Sequence, residues 1–245
     1  MPIAAADLIP YLSANHPDDD TSTAGGGIDT AGRPVFTQWT ANAVAAVVSD
    51  GADTRTVTVE GRSAAGAIVS EVLTLTGATE VVGATTFERV LKITLSATDA
   101  SRTVTVKQGS GGATRATIGP NETKRFAMFK RSASESAITI RFDKFFWKNT
   151  HASLTLNSAA GKLTADPDAR IRMGLAASKG DTATITNRKT TPSGITFVDD
   201  NVSQTVPTGT LAAGETIGVW IEQNLPASDA AHKTTFTHEL SGTTV

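Results

Sequence analysis

Apolar and polar residues alternate one by one along much of the chain, as expected for β-strands with one buried face. Residues 85–96, TTFERVLKITLS, show the pattern best. There the inward positions would be Phe87, Leu91, Ile93 and Leu95, and the outward ones Glu88, Lys92 and Thr94. Similar segments recur at short intervals with turn residues between them, and no segment has a helical period. The pattern therefore predicts an all-β fold built from antiparallel sandwiches or barrels.

The same alternation predicts a β-hairpin near the C-terminal end. In the first strand, Ile217, Val219 and Ile221 point to one face and Trp220 to the other. A polar loop with Pro226 follows, and residues 234–240, TTFTHEL, return as the second strand. We expect Trp220 to pack in the core of this closing hairpin.

Composition changes divide the chain into an arm and two domains. Residues 1–34 are polar and Gly-rich without either period, so they predict an extended N-terminal arm. The small polar residues RSASES at 131–136 predict a boundary, which gives two β-sandwich-like domains at 35–131 and 132–245. The arm could be disordered, order against a partner, or pack on its own sandwich as an extra strand.

Charge and cysteine content restrict the possible functions. The chain has 245 residues, a formal net charge of −2 and no cysteine. A nucleic-acid-binding protein would usually have a basic face, so none is expected as a partner. The absence of cysteine excludes disulfides and thiolate metal sites and is ordinary for a protein folded in a bacterial cytoplasm. No apolar run is long enough for a spanning helix, and the first residues lack a basic region, so neither a membrane partner nor a secretory signal is expected.

No arrangement of residues predicts an active site. Of four histidines, His232 and His238 share one predicted strand but lie too far apart to bind one ion. Residues 18–20, DDD, lack the spacing of a calcium loop and indicate a solvated acidic loop. Neither a G-x-S-x-G elbow nor a phosphate-binding G-x-x-x-x-G-K-[ST] occurs. We therefore expect no enzyme activity, cofactor or metal.

Two groups of apolar residues are candidates for contacts with partners. Ile9, Tyr11 and Leu12 would anchor the arm on a neighbour. Phe145, Phe146 and Trp147 run together, which covers both faces of a strand and indicates a domain seam or a subunit contact. The predicted contact residues are therefore Ile9, Tyr11, Leu12, Phe145 and Trp147. A basic run, Lys124, Arg125, Lys130 and Arg131, indicates a solvated rim around Phe126 and Phe129 or a docking patch for an acidic surface.

Four segments resemble the β-domains of structural proteins of tailed bacteriophages. These are TVTVEGRSAAGAIVSEVLTLTGATEVVGATTFERVLKITL, KFFWKNTHASLTLNSAAGKL, TNRKTTPSGITF and GTLAAGETIGVWIEQNLPA. The resemblance implies a non-enzymatic virion protein of head or neck type, a capsid decoration protein or a portal or neck adaptor. Its partners would be copies of itself and other virion proteins. A tail or baseplate component, or a host-glycan-binding module on the particle exterior, is the alternative.

Overall fold

The computed structural model describes residues 2–34, 36–130, 136–165, 170–228 and 235–244. Almost all regular structure in these ranges is β-strand, and the two 3₁₀ segments, Ala5–Asp7 and Pro207–Gly209, have one turn each. The predicted all-β fold is confirmed. No helix in the described ranges is long and apolar enough to cross a membrane.

The chain forms two compact units, and one is inserted into the other. Thr30–Lys130 is the first, which we call the inserted unit. Met1–Asp29 together with Arg131–Val245 is the second, which we call the split unit. The order predicted from sequence, an arm followed by two consecutive domains, is therefore wrong at its N-terminal end. Only the predicted boundary near residue 131 coincides with a boundary between the units.

The inserted unit is a β-sandwich with one apolar core. Its strands are β3 (Gly32–Arg33), β4 (Ala43–Ser49), β5 (Thr56–Arg62), β6 (Ile68–Thr74), β7 (Val81–Phe87), β8 (Arg89–Leu95), β9 (Val104–Gln108), β10 (Thr114–Ile118) and β11 (Lys124–Phe126). One sheet has the order β10-β9-β4-β7 and the other β3-β11-β8-β5-β6. Both sheets contribute to the same core, for example through Val47 and Val106 from one and Val59 and Ile93 from the other.

The segment predicted as one strand over residues 85–96 is two strands in different sheets. β7 ends at Phe87 and β8 begins at Arg89, so the chain crosses the sandwich at Glu88. The predicted inward residues of this segment are all buried. Alternation therefore identified the buried faces correctly, although it could not show that the chain changes sheets between them.

The split unit also has two sheets. The strands of the split unit are β1 (Leu8–Asn15), β2 (Ala24–Asp29), β12 (Thr139–Asn149), β13 (Leu156–Ala165), β14 (Ile171–Lys179), β15 (Thr184–Ile185), β16 (Gln204–Thr205), β17 (Thr210–Leu211), β18 (Thr216–Leu225) and β19 (Thr237–Thr243). The larger sheet has the order β14-β18-β12-β1-β2-β15, and in the smaller sheet β13 pairs with β16, β17 and β19. β12 and β18 form the longest ladder, with ten residue pairs from Thr139↔Leu225 to Lys148↔Thr216.

The predicted N-terminal arm is part of the split unit. β1 pairs with β12 on one side and β2 on the other, which makes it an internal strand. The glycine-rich part of the predicted arm has a packing role: Gly25 has φ +88°, and a Cβ there would lie 2.7 Å from the Trp220 ring. Only glycine accepts both the backbone angle and the contact without strain.

The predicted C-terminal hairpin does not form. β18 pairs with β12 and β14, so both of its edges are occupied. β19 pairs instead with β13 in the smaller sheet. Trp220 is buried, at 1% exposure, as the sequence predicts.

Candidate functional site

The structure brings the five predicted contact residues together on the paired strands β1 and β12 of the split unit. Leu12 pairs with Phe145 across β1 and β12, and Tyr11 and Ile9 pair with Phe146 and Lys148. Leu12, Phe145 and Trp147 are buried within the chain's own fold. Their prediction as partner contacts is corrected, because their side chains pack inside the chain's own fold.

Ile9 and Tyr11, the other two predicted anchors, are half-buried. Contact between these two residues and a partner stays a prediction.

Both faces of β12 are covered by elements of the split unit itself. On one face, Phe145 and Trp147 pack against the imidazole of His238 on β19, with ring centroids 4.6 and 5.0 Å away. On the other face, Phe142 packs with Trp220 of β18. The apolar run in β12 therefore belongs to the core of the split unit.

His238 is an ionisable group in this apolar interior. Phe236 is a third neighbouring ring, at 6.2 Å, and among the described residues Nδ1 of His238 has no hydrogen-bond partner. Burial lowers the pKa of His238 from about 6.5 to about 4. Its imidazole is therefore neutral in the folded protein above that pH.

We expect the split unit to lose stability as pH falls from about 6.5 to about 4. In this window the unfolded chain protonates His238 and the folded chain does not, so acid favours the unfolded state. The loss approaches ~3 kcal/mol at the acid end, since each pKa unit corresponds to about 1.4 kcal/mol. Urea unfolding at several pH values measures it. The unfolding free energy should depend less steeply on pH in His238→Phe than in the parent. An unchanged pH dependence would assign the acid sensitivity to other groups.

Charged residues that the sequence did not mark as a site meet at the edge of β12 beyond the end of β1. They come from β12, from the β1–β2 loop and from the segment after β15: His16, Asp20, Arg141, Asp143, Arg188 and Lys189. Nε and Nη2 of Arg141 donate to the Asp20 carboxylate at 2.7–2.9 Å. Nε of Arg188 lies 3.1 Å from Oδ1 of Asp143, and both side chains are 1% exposed.

This ionic cluster attaches the β1–β2 loop to β12. Burial raises the pKa of Asp20, but the hydrogen bonds and charge of Arg141, with Arg188 and Lys189, outweigh that effect and lower it. A carboxylate so firmly ionised and paired is a poor general base. The signal that could have revealed the cluster is the charged pair Arg141 and Asp143 inside an otherwise apolar strand.

Lys144 is buried on the opposite face of β12. Its Nζ donates to the Asp181 carboxylate at 2.6 Å and to the carbonyl of Gly26 at 3.0 Å. It also lies 4.8 Å above the Phe146 ring and 5.3 Å above the Trp220 ring. Burial lowers its pKa despite the opposing effect of Asp181. These contacts join β12, β2 and the chain before β15, which is a structural role.

The basic run is mostly internal. Arg125 is paired with Glu122, and Lys130 lies 4.9 Å above the Phe126 ring. Both basic side chains are buried, as is Phe129. A solvated rim or a docking patch formed by this run is therefore ruled out for Arg125 and Lys130, while Arg131 lies outside the described residues.

The acidic loop at 18–20 divides into residues with different roles. Asp19 is exposed and accepts hydrogen bonds from the backbone amides of Thr21 and Ser22. A hydrogen bond from the Thr21 hydroxyl, together with these amides and the Ser22 hydroxyl, holds the pKa of Asp19 well below the usual range. Asp20 belongs to the ionic cluster. Within the described residues, no three His, Asp or Glu side chains are placed to hold a metal ion.

Three of the exposed apolar side chains are on the inserted unit. Ile68 and Val72 on β6 are 40% and 61% exposed, and Val82 on β7 is 46% exposed. Glu71 of β6 joins the two strands, because its carboxylate accepts the amides of Ala84 and Thr85 at 2.7 and 3.1 Å. We call Ile68 and Val72, which lie on one face of β6, the apolar edge.

No protein-family model matches this chain, and neither the curated proteins nor the solved structures include a match.

Proposed function

We propose that this chain is a non-enzymatic structural component of a tailed-bacteriophage virion, associated with the head as a capsid decoration protein or a portal or neck adaptor. The resemblance of four segments to phage structural β-domains supports the proposal. The described ionisable clusters also suit it, since they join strands rather than line an open site. The protein would act through multivalent contacts with copies of itself and with other virion proteins.

The observation that carries the proposal is the apolar edge. Ile68 and Val72 share one face of β6, the last strand of its sheet, and grouped exposed apolar residues mark contact surfaces more often than isolated ones do. One such edge buries a modest area, but a symmetric lattice repeats the contact many times. Repetition raises the total affinity without any new contact within one copy.

A host-glycan-binding module is less well supported. Binding to a sugar ring would use exposed aromatic side chains as stacking surfaces, whereas Trp39, Trp147 and Trp220 are all buried. A tail or baseplate component stays an alternative within the same structural class, and the copy number in the particle distinguishes it from a head protein.

The experiment is quantitative mass spectrometry of particles purified from cells that produce the phage encoding this chain. We expect the chain in the particles, in a number that follows the capsid lattice for a decoration protein or the portal ring for an adaptor. A number that matches the tail tip would move the protein to the tail. Absence from the particles would overturn the proposal.

A matched pair of variants tests the apolar edge itself. Val72→Glu places a charge on the edge and should lower the occupancy in particles. Val202→Glu is the control, because Val202 is a similarly exposed valine, at 47%, on the split unit. Equal occupancy of the two variants would separate the apolar edge from assembly.

A further inference from the structure

Basic side chains gather on the outer face of the five-stranded sheet of the inserted unit. Along β5 the buried residues alternate with Thr56, Thr58, Glu60 and Arg62, which point away from the core. The strand register places basic residues of the neighbouring strands on the same face. The basic face, as we call it, consists of Arg62, Arg89, Lys92 and Lys124.

Two arginines stand directly opposite each other at one end of this face. Arg62 of β5 pairs in register with Arg89 of β8, and like charges in that position destabilise a sheet. The Arg89 side chain is only 16% exposed. Burial, with repulsion from Arg62, lowers the pKa of Arg89. A pair of cations held close in this way favours an anion that would lie across both.

Apolar residues border the same end of the face. Ile68 pairs with Arg62 and Val72 with Thr58 across β5 and β6, so part of the apolar edge lies beside the arginine pair. Acidic residues lie among the basic ones. Oε1 of Glu60 is 3.1 Å from Nζ of Lys92, and Oε2 of Glu88 is 3.8 Å from Nε of Arg89. The apolar residues beside the cations fit a protein segment better than a phosphate backbone, which has no apolar side chain to cover Ile68 and Val72.

We propose that the basic face and the adjoining apolar edge bind an acidic protein segment whose carboxylates contact Arg62 and Arg89 and whose apolar side chains cover Ile68 and Val72. Guanidinium groups suit this role because they bind carboxylates in a bidentate geometry. The inference rests on the proposed function in naming the surface through which a virion partner would dock. It also revises the sequence-based idea of a basic docking patch for an acidic surface, because most of the basic residues now proposed lie outside that run.

The test measures fluorescence anisotropy of a labelled glutamate–valine peptide with the full-length protein. Binding should weaken as salt is added, because charge pairs at a surface are screened. Arg62→Glu should weaken binding about tenfold or more, since it removes a charge-assisted contact and repels the peptide. The same change puts a carboxylate opposite Arg89, so the melting temperature should stay equal or rise. A structural role alone would not weaken binding while preserving stability.

Arg102→Glu is the matched control. Arg102 lies in the loop between β8 and β9, is 35% exposed and is 3.9 Å from Asp50. This variant makes the same charge change away from the basic face and should bind the peptide like the parent. Equal loss in the two variants would overturn the proposal in favour of a net-charge effect. Tighter binding of an oligothymidylate, sensitive to Arg62→Glu, would replace the protein partner by a nucleic acid.

The outcomes also separate this inference from the proposed function. If the protein binds the peptide through Arg62 but is absent from particles, the virion role is overturned and the binding face stands. A protein present in particles that binds no peptide would keep the virion role and overturn the face.

Discussion

Deleting residues 2–29 should unfold the split unit and leave the inserted unit folded. The deletion removes β1, an internal strand, and β2, which packs on Trp220 through Gly25. It also removes Leu12 from the core and Asp20 from Arg141, which leaves a buried guanidinium without that carboxylate. Losses of about 2–5 kcal/mol for the leucine and about 3–5 kcal/mol for the broken ion pair are comparable with the whole stability of a typical domain, ~5–15 kcal/mol.

Hydrogen exchange followed by mass spectrometry can measure the two units separately. Amides of β12 and β18 should exchange rapidly in the truncated protein, while those of β5 and β8 stay protected. Deletion of residues 2–4 alone is the control, since it removes no strand, and should leave both units protected. If the longer deletion preserved protection in β12 and only weakened assembly into particles, residues 1–34 would be a separable arm as the sequence first indicated.

Local pattern predicted the strands well because alternation reports which side of a strand is buried. Phe87, Ile93 and Leu95 are buried as expected. Strand pairing is a different matter, because it depends on residues far apart in sequence. Nothing local in Leu8–Asn15 indicates that its neighbour is Thr139–Asn149, more than half of the chain away. The insertion of one unit into the other was therefore not visible.

The glycine-rich segment was misread for a related reason. Glycines are typical of flexible tethers, and they are also required where a backbone with positive φ meets a large side chain. Gly25 is the second kind, but the residue that makes it so, Trp220, lies far along the chain. Sequence pattern shows the permissive residue and does not show the contact that needs it.

The predicted contact residues were misassigned because aromatic side chains suit cores and interfaces equally. Phe145, Phe146 and Trp147 cover both faces of β12, which a strand with one solvated face would not allow. The sequence indicated correctly that both faces are covered. It could not indicate that the cover comes from His238 on one face and from the environment of Trp220 on the other.

The basic face is also a feature that local sequence pattern could not predict. Arg62, Arg89 and Lys124 are scattered in sequence, and only the sheet register brings them onto one surface. Lys124 and Arg125 are adjacent in sequence, yet Arg125 is buried against Glu122. Adjacent basic residues in a strand thus lie on two different faces. Which of them contribute to the surface charge follows from the strand register.

Trp220→Ala should destabilise the split unit by about 3–5 kcal/mol, as expected for loss of a large buried aromatic side chain. Trp220 is 1% exposed, packs with Phe142 and Ile185, and lies 5.3 Å from Nζ of Lys144. Its removal leaves a cavity beside Gly25 and removes part of the environment that holds a buried ammonium group. Chemical denaturation, with protection of β12 and β18 amides as the local measure, tests this expectation.

Trp39→Ala is the matched control, since Trp39 is buried in the core of the inserted unit and should affect protection of β5 and β8 instead. A Trp220→Ala protein that unfolds like the parent but fails to enter particles would show that Trp220 contacts a partner and that its burial contributes little to the fold.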